Sequence, residues 1–253
     1  MKHIELLGIA GSGKSTIATE LCARNEDMYS LSESHQGTVS QVLIPGPLTG
    51  IGPRLPSEVI SYMTRVSGLS GRSVNFYRMK YPDSLSKAGR YARKYTDDED
   101  RVDYVAKKVL SLVEQYGTID EYSEGKGTVV IDEGFSFSAA SVLHPPQHTR
   151  RVGEEDLRDY ISTLPVPDAI ILVKVSPRVC LERIHQRDSG PPASWERLNR
   201  ESQFELATEA TRVAESIAET FESRGSRILE VETADTPVES AVSTVEHALA
   251  DIA

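Results

Sequence analysis

The stretch Gly8-Ile9-Ala10-Gly11-Ser12-Gly13-Lys14-Ser15 spells G-x-x-x-x-G-K-S, and few octapeptides constrain a fold so tightly. Glycines at these positions let successive backbone N–H groups turn inward on one anion, at the point where a strand gives way to a helix. Lys14 adds a full positive charge there, and the Ser15 hydroxyl is placed to ligate Mg2+. The flanking residues agree with this. Ile4, Leu6, Leu7 and Ile9 read as a buried strand, and Ile17, Ala18, Leu21 and Cys22 give Ser15 to Arg24 the period of a helix. The expected anion is a nucleoside triphosphate, held by Gly8, Gly11, Ser12, Gly13, Lys14, Ser15 and Thr16.

Strand and helix patterns alternate after this loop, which predicts a parallel sheet covered on both faces. Met28 to Ser32 reads as a short second strand ending at Glu33. Gly127 to Asp132, Ala169 to Val175 and Ile228 to Val231 read as the remaining strands. Thr96-Asp97-Asp98-Glu99 has the form of a capping box, and Val102, Val105, Val109, Leu112, Val113 and Tyr116 follow at helical spacing. Glu155 to Leu164 predicts a short helix. Ser176-Pro177 caps another, expected to run through Arg187. A long helix is expected from near Trp195, with Phe204, Ala207, Val213, Ala214, Ile217 and Phe221 inward, and Thr236-Pro237-Val238-Glu239 caps the last one. Gln36 to Pro56, rich in Gly and Pro, reads as loop. At 253 residues the expectation is one domain over 1–253, with an insertion at 35–95 and a lid region at 183–200.

Parallel sheets of this kind place their ligands at the carboxyl ends of strands. Three carboxylates are expected there: Glu33, Asp132 and Glu133. Asp132 closes an apolar strand and is the candidate Mg2+ partner of Ser15. Glu133 could polarise an attacking group, and Glu33 could accept the proton of a substrate hydroxyl. Arg183 and Arg187 lie one helical turn apart after the fourth strand. Such guanidinium groups stabilise a phosphoryl group in transfer; Arg197 and Arg200 follow just beyond a Pro-rich loop.

The chain carries a net charge of −10, which argues against a general nucleic-acid binder. The distribution is uneven: Gly50 to Tyr95 holds nine basic residues against two acidic ones. Tyr62, Phe76, Tyr77, Tyr81, Tyr91 and Tyr95 are interleaved with those cations. Two readings of this segment are open, a surface for an anionic or aromatic ligand and a helical excursion whose rings pack on the core. Cys22 and Cys180 are far apart, so no disulfide framework or zinc site is expected. His144 and His148 bracket a Pro-rich turn and are a weak metal candidate. No run approaches the roughly 20 apolar residues of a membrane span, and the first strand begins without a leader-like segment. A cytoplasmic location and no membrane partner are expected, with a homodimer left open.

The segments GIAGSGKST, VVIDEG and DAIILVKVSPRVCLERIHQR resemble the P-loop nucleoside and nucleotide kinases, in particular the thymidylate kinase and deoxynucleoside kinase branch. The resemblance covers roughly residues 1 to 34 and 127 to 253. It implies a three-layer α/β fold with a five-stranded parallel sheet in the order 2-3-1-4-5, ATP with Mg2+ as cofactors, and a lid carrying Arg183 and Arg187. It also implies an adenine-side loop at Thr233-Ala234-Asp235-Thr236-Pro237. Where thymidylate kinases have Arg after the second-motif Asp, this chain has Glu133, and their Glu-Pro pair is not reproduced at Glu33-Ser34. The function expected is transfer of the γ-phosphoryl group of ATP to a small acceptor, a nucleoside or nucleotide first and a sugar or other metabolite next. Two alternatives stand beside it. One is an ATPase or switch that hydrolyses the nucleotide, for which Asp132-Glu133 would suit. The other is a kinase that uses the basic segment to hold a polynucleotide end.

Overall fold

Strand β1 (Lys2–Leu7) is buried on both sides because both faces of the sheet are covered, with His3 and Glu5 as its buried polar members. Ile4 and Leu6 join one core with α1 (Lys14–Arg24) and the last helix, while Leu7 joins the opposite core. The computed structural model describes residues 1–43, 67–123, 127–143, 152–187, 190–191, 193–196 and 198–250. Within them β1, β2 (Met28–Ser30), β3 (Thr128–Ile131), β4 (Ala169–Lys174) and β5 (Arg227–Glu232) form one five-stranded sheet in the order β2-β3-β1-β4-β5. Every pairing is parallel. Its registers place Glu5 opposite Ile131 and Leu7 opposite Leu172, so the carboxyl ends of β1, β3 and β4 lie together at one edge. The phosphate loop leaves from that edge.

The helices are α2 (Leu31–Leu43), α3 (Leu69–Lys80), α4 (Ser84–Tyr95), α5 (Glu99–Tyr122), α6 (Phe135–Leu143), α7 (Glu154–Ile161), α8 (Pro177–His185), α9 (Ala193–Glu196), α10 (Arg200–Glu222) and α11 (Val238–Ala250). One face of the sheet is covered by α1 and α11, through Ile17, Leu21, Val242 and Val245. The other is covered by α3 to α7 and α10, around Tyr77, Phe135, Tyr160 and Phe221.

Several boundaries differ from the sequence reading. The second strand stops at Ser30, because Ser30 and Glu33 close a reciprocal capping box. Glu33 N donates to Ser30 Oγ at 3.2 Å, and Ser30 N donates to Glu33 Oε2 at 2.9 Å. A helix therefore begins at Leu31, and residues 36–43, expected as loop, belong to it; residues 44–56 lie outside the described residues. The cap of α5 is Asp98, whose Oδ1 accepts from Arg101 N at 3.2 Å, rather than Thr96. Asn199 caps α10, so the helix expected from Trp195 is two pieces, and Phe204 is 48 % exposed on the outer face. Ser176 caps α8 as expected. Among the described residues no helix is long and apolar enough to cross a membrane.

The basic, aromatic insertion resolves toward packing. Tyr77, Tyr91 and Tyr95 are core residues. Lys80 pairs with Asp120 at 2.7 Å, and Asp159 of α7 binds both Lys87 and Arg90 of α4, at 2.7 and 2.8 Å. Lys94 and the Tyr95 hydroxyl both bond Asp156. Four of the nine cations that make this segment basic are thus paired with carboxylates of α5 and α7. Arg54, Arg65 and Tyr62 lie outside the described residues.

Candidate active site

The bend between β1 and α1 is built as its glycines imply. Gly11 has φ +84°, and a Cβ there would stand 2.7 Å from the Cys180 carbonyl of α8, so the loop is pressed against that helix where only glycine fits. Lys14 begins α1 and is buried, donating from Nζ to the Gly8 and Ile9 carbonyls at 2.7 and 2.9 Å. Two of its three ammonium donors are thereby fixed, which aims the third. Burial pulls its pKa down to about 8, against the pull of the Asp132 and Glu133 carboxylates, which favour the charged form.

Three of the cavities that meet this loop reach its turn at residues 11–15. The front one, about 380 Å3, is lined by the loop from Gly8 to Thr16 and by Asp132, Glu133 and Arg187. A larger one of about 910 Å3 lies between α1, the start of α2 and α5, and reaches Glu33. Ser15, Lys108, Asp132 and Glu133 line both. The third, about 360 Å3, runs from Gly11, Ser12, Gly13 and Thr16 past Arg183 and Arg187 to Thr233 and Thr236. The expected loop residues, Asp132, Glu133 and Arg187 are therefore brought together. Ser15 and Asp132 share one wall, and among the described residues no group of three or more His, Cys, Asp or Glu could hold a metal by itself. A hydroxyl and a carboxylate with room for phosphate oxygens suit a hard cation such as Mg2+, which takes most of its ligands from water and phosphate. His144 and His148 lie outside the described residues.

Three expected site residues occupy different settings from those anticipated. Glu33 sits in the first turn of α2 with one oxygen committed to Ser30, whose hydroxyl it also accepts at 2.8 Å. Glu133 is paired with Lys108 at 2.5 Å, so its carboxylate is neutralised by a cation from α5. Arg183 lies inside α8 rather than on a lid. It donates to Thr233 Oγ1 at 3.3 Å and to the Thr233 and Ala234 carbonyls, while Thr233 Oγ1 donates to the Ser12 carbonyl at 2.8 Å. Arg183 thus braces the loop after β5. Arg187 follows the end of α8 and faces two of the cavities. Arg197 lies outside the described residues, and Arg200 starts α10 on the surface.

Sequence reading missed Arg101, Tyr104, Lys108 and Phe137, which also line the front cavity. The first three recur at i, i+3 and i+7 on α5, a polar stripe beside the apolar one, and that spacing was the available signal. Phe137 lies on α6 under two cations, Lys14 at 5.2 Å and Lys108 at 5.1 Å from the ring centroid.

A family model described as an AAA domain matches residues 4–207. The chain belongs to the AAA-domain family. Among curated proteins, none matches the sequence significantly. Among solved structures, a deoxyadenosine kinase from M. mycoides with the products dCMP and a flexible dCDP bound is similar over 99 % of this chain and 100 % of that one, at 14 % identity and a TM-score of 0.51. A structure of deoxyadenosine kinase from the same organism with dCTP bound matches at 12 % identity over 98 % and 99 % of the two chains, with a TM-score of 0.49. The sheet order and the first of these neighbours identify the fold as that of the P-loop nucleoside and nucleotide kinases, as the sequence resemblance implied.

Proposed function

We propose that this chain is a phosphotransferase that uses ATP and Mg2+ to phosphorylate a small acceptor of nucleoside or nucleotide type. The observation that carries this reading is the wall shared by the two largest cavities beside the phosphate loop: Ser15, Lys108, Asp132 and Glu133 face both. A hydrolase needs room for one water at the γ-position, whereas this arrangement supports entry of a second substrate. The pairing of Glu133 with Lys108 also weighs against its orienting a water, as the ATPase alternative would require.

In this reading the loop amides and Lys14 hold the β- and γ-phosphates, and Ser15 and Asp132 hold the metal. When bound there, Mg2+ would supply positive charge that offsets the charge of the triphosphate. The Arg187 guanidinium faces the same cavity and offsets charge that spreads onto the transferred group. The adenine end lies along Thr233 and Thr236, with Arg183 fixing that loop against the Ser12 carbonyl. The same fold holds nucleotides in the deoxyadenosine kinase, which makes nucleosides and nucleotides the first acceptors to try.

The test is ADP release by the purified chain with Mg2+ and an acceptor panel. ADP is expected only when a suitable acceptor is present, with turnover abolished in Lys14→Ala and lowered at least about 100-fold in Asp132→Asn. Steady hydrolysis at the same rate with and without every acceptor overturns the reading.

A further inference from the structure

The geometry points to an acceptor that is itself a phosphate monoester, a nucleoside monophosphate being the leading class, which attacks through an ionised phosphate oxygen with Arg101 as its partner. This rests on the kinase reading above and goes beyond it by naming the acceptor's chemistry. Two independent observations carry it.

The first is a guanidinium with an unmet donor among the described residues, on which Asp98 acts only through space. Of the four cations on the front cavity, Lys14 is engaged by the loop carbonyls, Lys108 by Glu133, and Arg187 is assigned above to the transferred phosphoryl group. Arg101 enters the same cavity from α5 with a buried Nε that has no hydrogen-bond partner among the described residues. Its guanidinium lies 5.1 Å from the Tyr104 ring centroid, a contact that orients it without neutralising it. Burial lowers its pKa, yet a guanidinium keeps its proton in any protein setting. A half-buried fork of N–H donors with an unmet member is best completed by a planar or tetrahedral oxyanion, which it binds through two oxygens at once.

The second is the engagement of both carboxylates suited to act as a base. A neutral hydroxyl acceptor must lose a proton as it is phosphorylated, and Glu33 and Glu133 are the candidates to take it. Glu33 closes the capping box with Ser30, and Glu133 is paired with Lys108. A phosphate monoester needs no such group, since its second pKa is about 6 and it is largely doubly ionised at neutral pH. In the step, an oxygen of the acceptor phosphate forms a bond to the γ-phosphorus. The bond from that phosphorus to the β–γ bridging oxygen breaks, and its electron pair leaves with ADP. No proton moves, and the product is a diphosphate.

The experiment compares nucleosides, their 5′-monophosphates and sugar phosphates as acceptors for the full chain, with ATP and Mg2+, in wild type, Arg101→Ala and Arg101→Lys. The monophosphates are expected to exceed their parent nucleosides by at least about 10- to 100-fold in kcat/KM, the span of a charge-assisted hydrogen bond. Arg101→Ala should lose that preference while the KM for ATP changes less than about twofold, and Arg101→Lys should recover part of it. With the monophosphate as acceptor, kcat/KM should rise with pH through about 6, the acceptor's own ionisation. Preference for the sugar phosphates over nucleotides would keep the phosphate chemistry and overturn the nucleoside class. Preference for neutral nucleosides, or equal losses on both acceptor types in Arg101→Ala, overturns the inference and leaves the kinase reading standing. If no acceptor yields ADP, calorimetry with a nucleoside monophosphate and a non-hydrolysable ATP analogue decides it: binding lost in Arg101→Ala supports the site, and no binding overturns it.

Discussion

A methyl group on Gly134 would stand 2.3 Å from Cδ of Glu5. The turn after Asp132 and Glu133 is thus moulded on a carboxylate that has no exposure at all and reaches it from the middle of β1. Glu5 accepts from Phe135 N at 3.0 Å and Ser136 N at 2.6 Å, the first amides of α6, and its Oε1 lies 2.9 Å from His3 Nε2. Burial would raise its pKa, but His3 and the Ser136 contacts outweigh that and hold it below the usual carboxylate value.

Glu5→Ala should therefore destabilise the fold by about 3 kcal/mol, because it orphans two buried amides and the imidazole. Glu5→Gln should lose less, and Gly134→Ala should cost about 1–3 kcal/mol by overpacking. A urea titration reads all three. The charged carboxylate is the form the fold favours, so this contribution is present above pH 4.5 and lost as the pH falls through the lower folded value.

Lys14 gives a dependence of the same sign in a higher pH window, for a different reason: its charged form is the one the fold disfavours. Its pKa is about 8 when folded and 10.5 as a free side chain. Between those values the folded chain binds fewer protons than the unfolded one, so stability rises with pH across that window as the strain of a buried ammonium is relieved. Nucleotide binding needs the charged form. Affinity for MgATP should weaken above pH 8, by at most about tenfold per unit. Calorimetry at pH 8 in two buffers of different ionisation enthalpy should show proton uptake on binding, absent in Lys14→Ala.

For Arg183 the expected defect is in the ground state. Arg183→Ala removes the bonds to Thr233 and Ala234 and should raise the KM for ATP about tenfold, the equivalent of about 1.4 kcal/mol. Its kcat should stay within about twofold. Initial-rate kinetics at saturating acceptor separate the two, and a fall in kcat with unchanged KM would return Arg183 to the transferred phosphoryl group.

Asp159 joins α7 to α4 through Lys87, Arg90 and the Tyr91 hydroxyl, the last at 2.6 Å. These side chains are partly exposed, and Asp159→Asn should lower stability by only about 1 kcal/mol. The bonds from Lys87 and Tyr91 hold the Asp159 carboxyl below its usual value of 3.8. Full at neutral pH, the difference between wild type and variant should shrink as the pH falls below that figure, which urea midpoints at pH 7 and pH 3 would reveal.

What the sequence made legible follows from which interactions are local. The strands Thr128–Ile131 and Ala169–Lys174 are nearly continuous apolar runs, the usual pattern of a strand buried on both faces. The phosphate loop is legible because its geometry resides in eight consecutive residues. The Ser30 to Glu33 box was also written locally, as S-x-x-E, yet its serine sits at a strand end and was read with the strand. By contrast, Glu33, Glu133 and Arg183 were assigned roles from position alone, and their partners Ser30, Lys108 and Thr233 determine their actual settings. Lys108 and Thr233 are distant in the chain from the groups they engage, and no spacing rule announces such a pair. The same holds for the basic insertion, whose counter-charges Asp120, Asp156 and Asp159 lie on later helices.

The hydroxyl of Thr233 receives a bond from α8 and gives one to the phosphate loop. A single oxygen therefore knots the segment after β5 to the phosphate loop. In the proposed reading, an adenine ring that nudges that segment would tug the Ser12 carbonyl with it, so recognition of the purine and alignment of its phosphates would be mechanically one event.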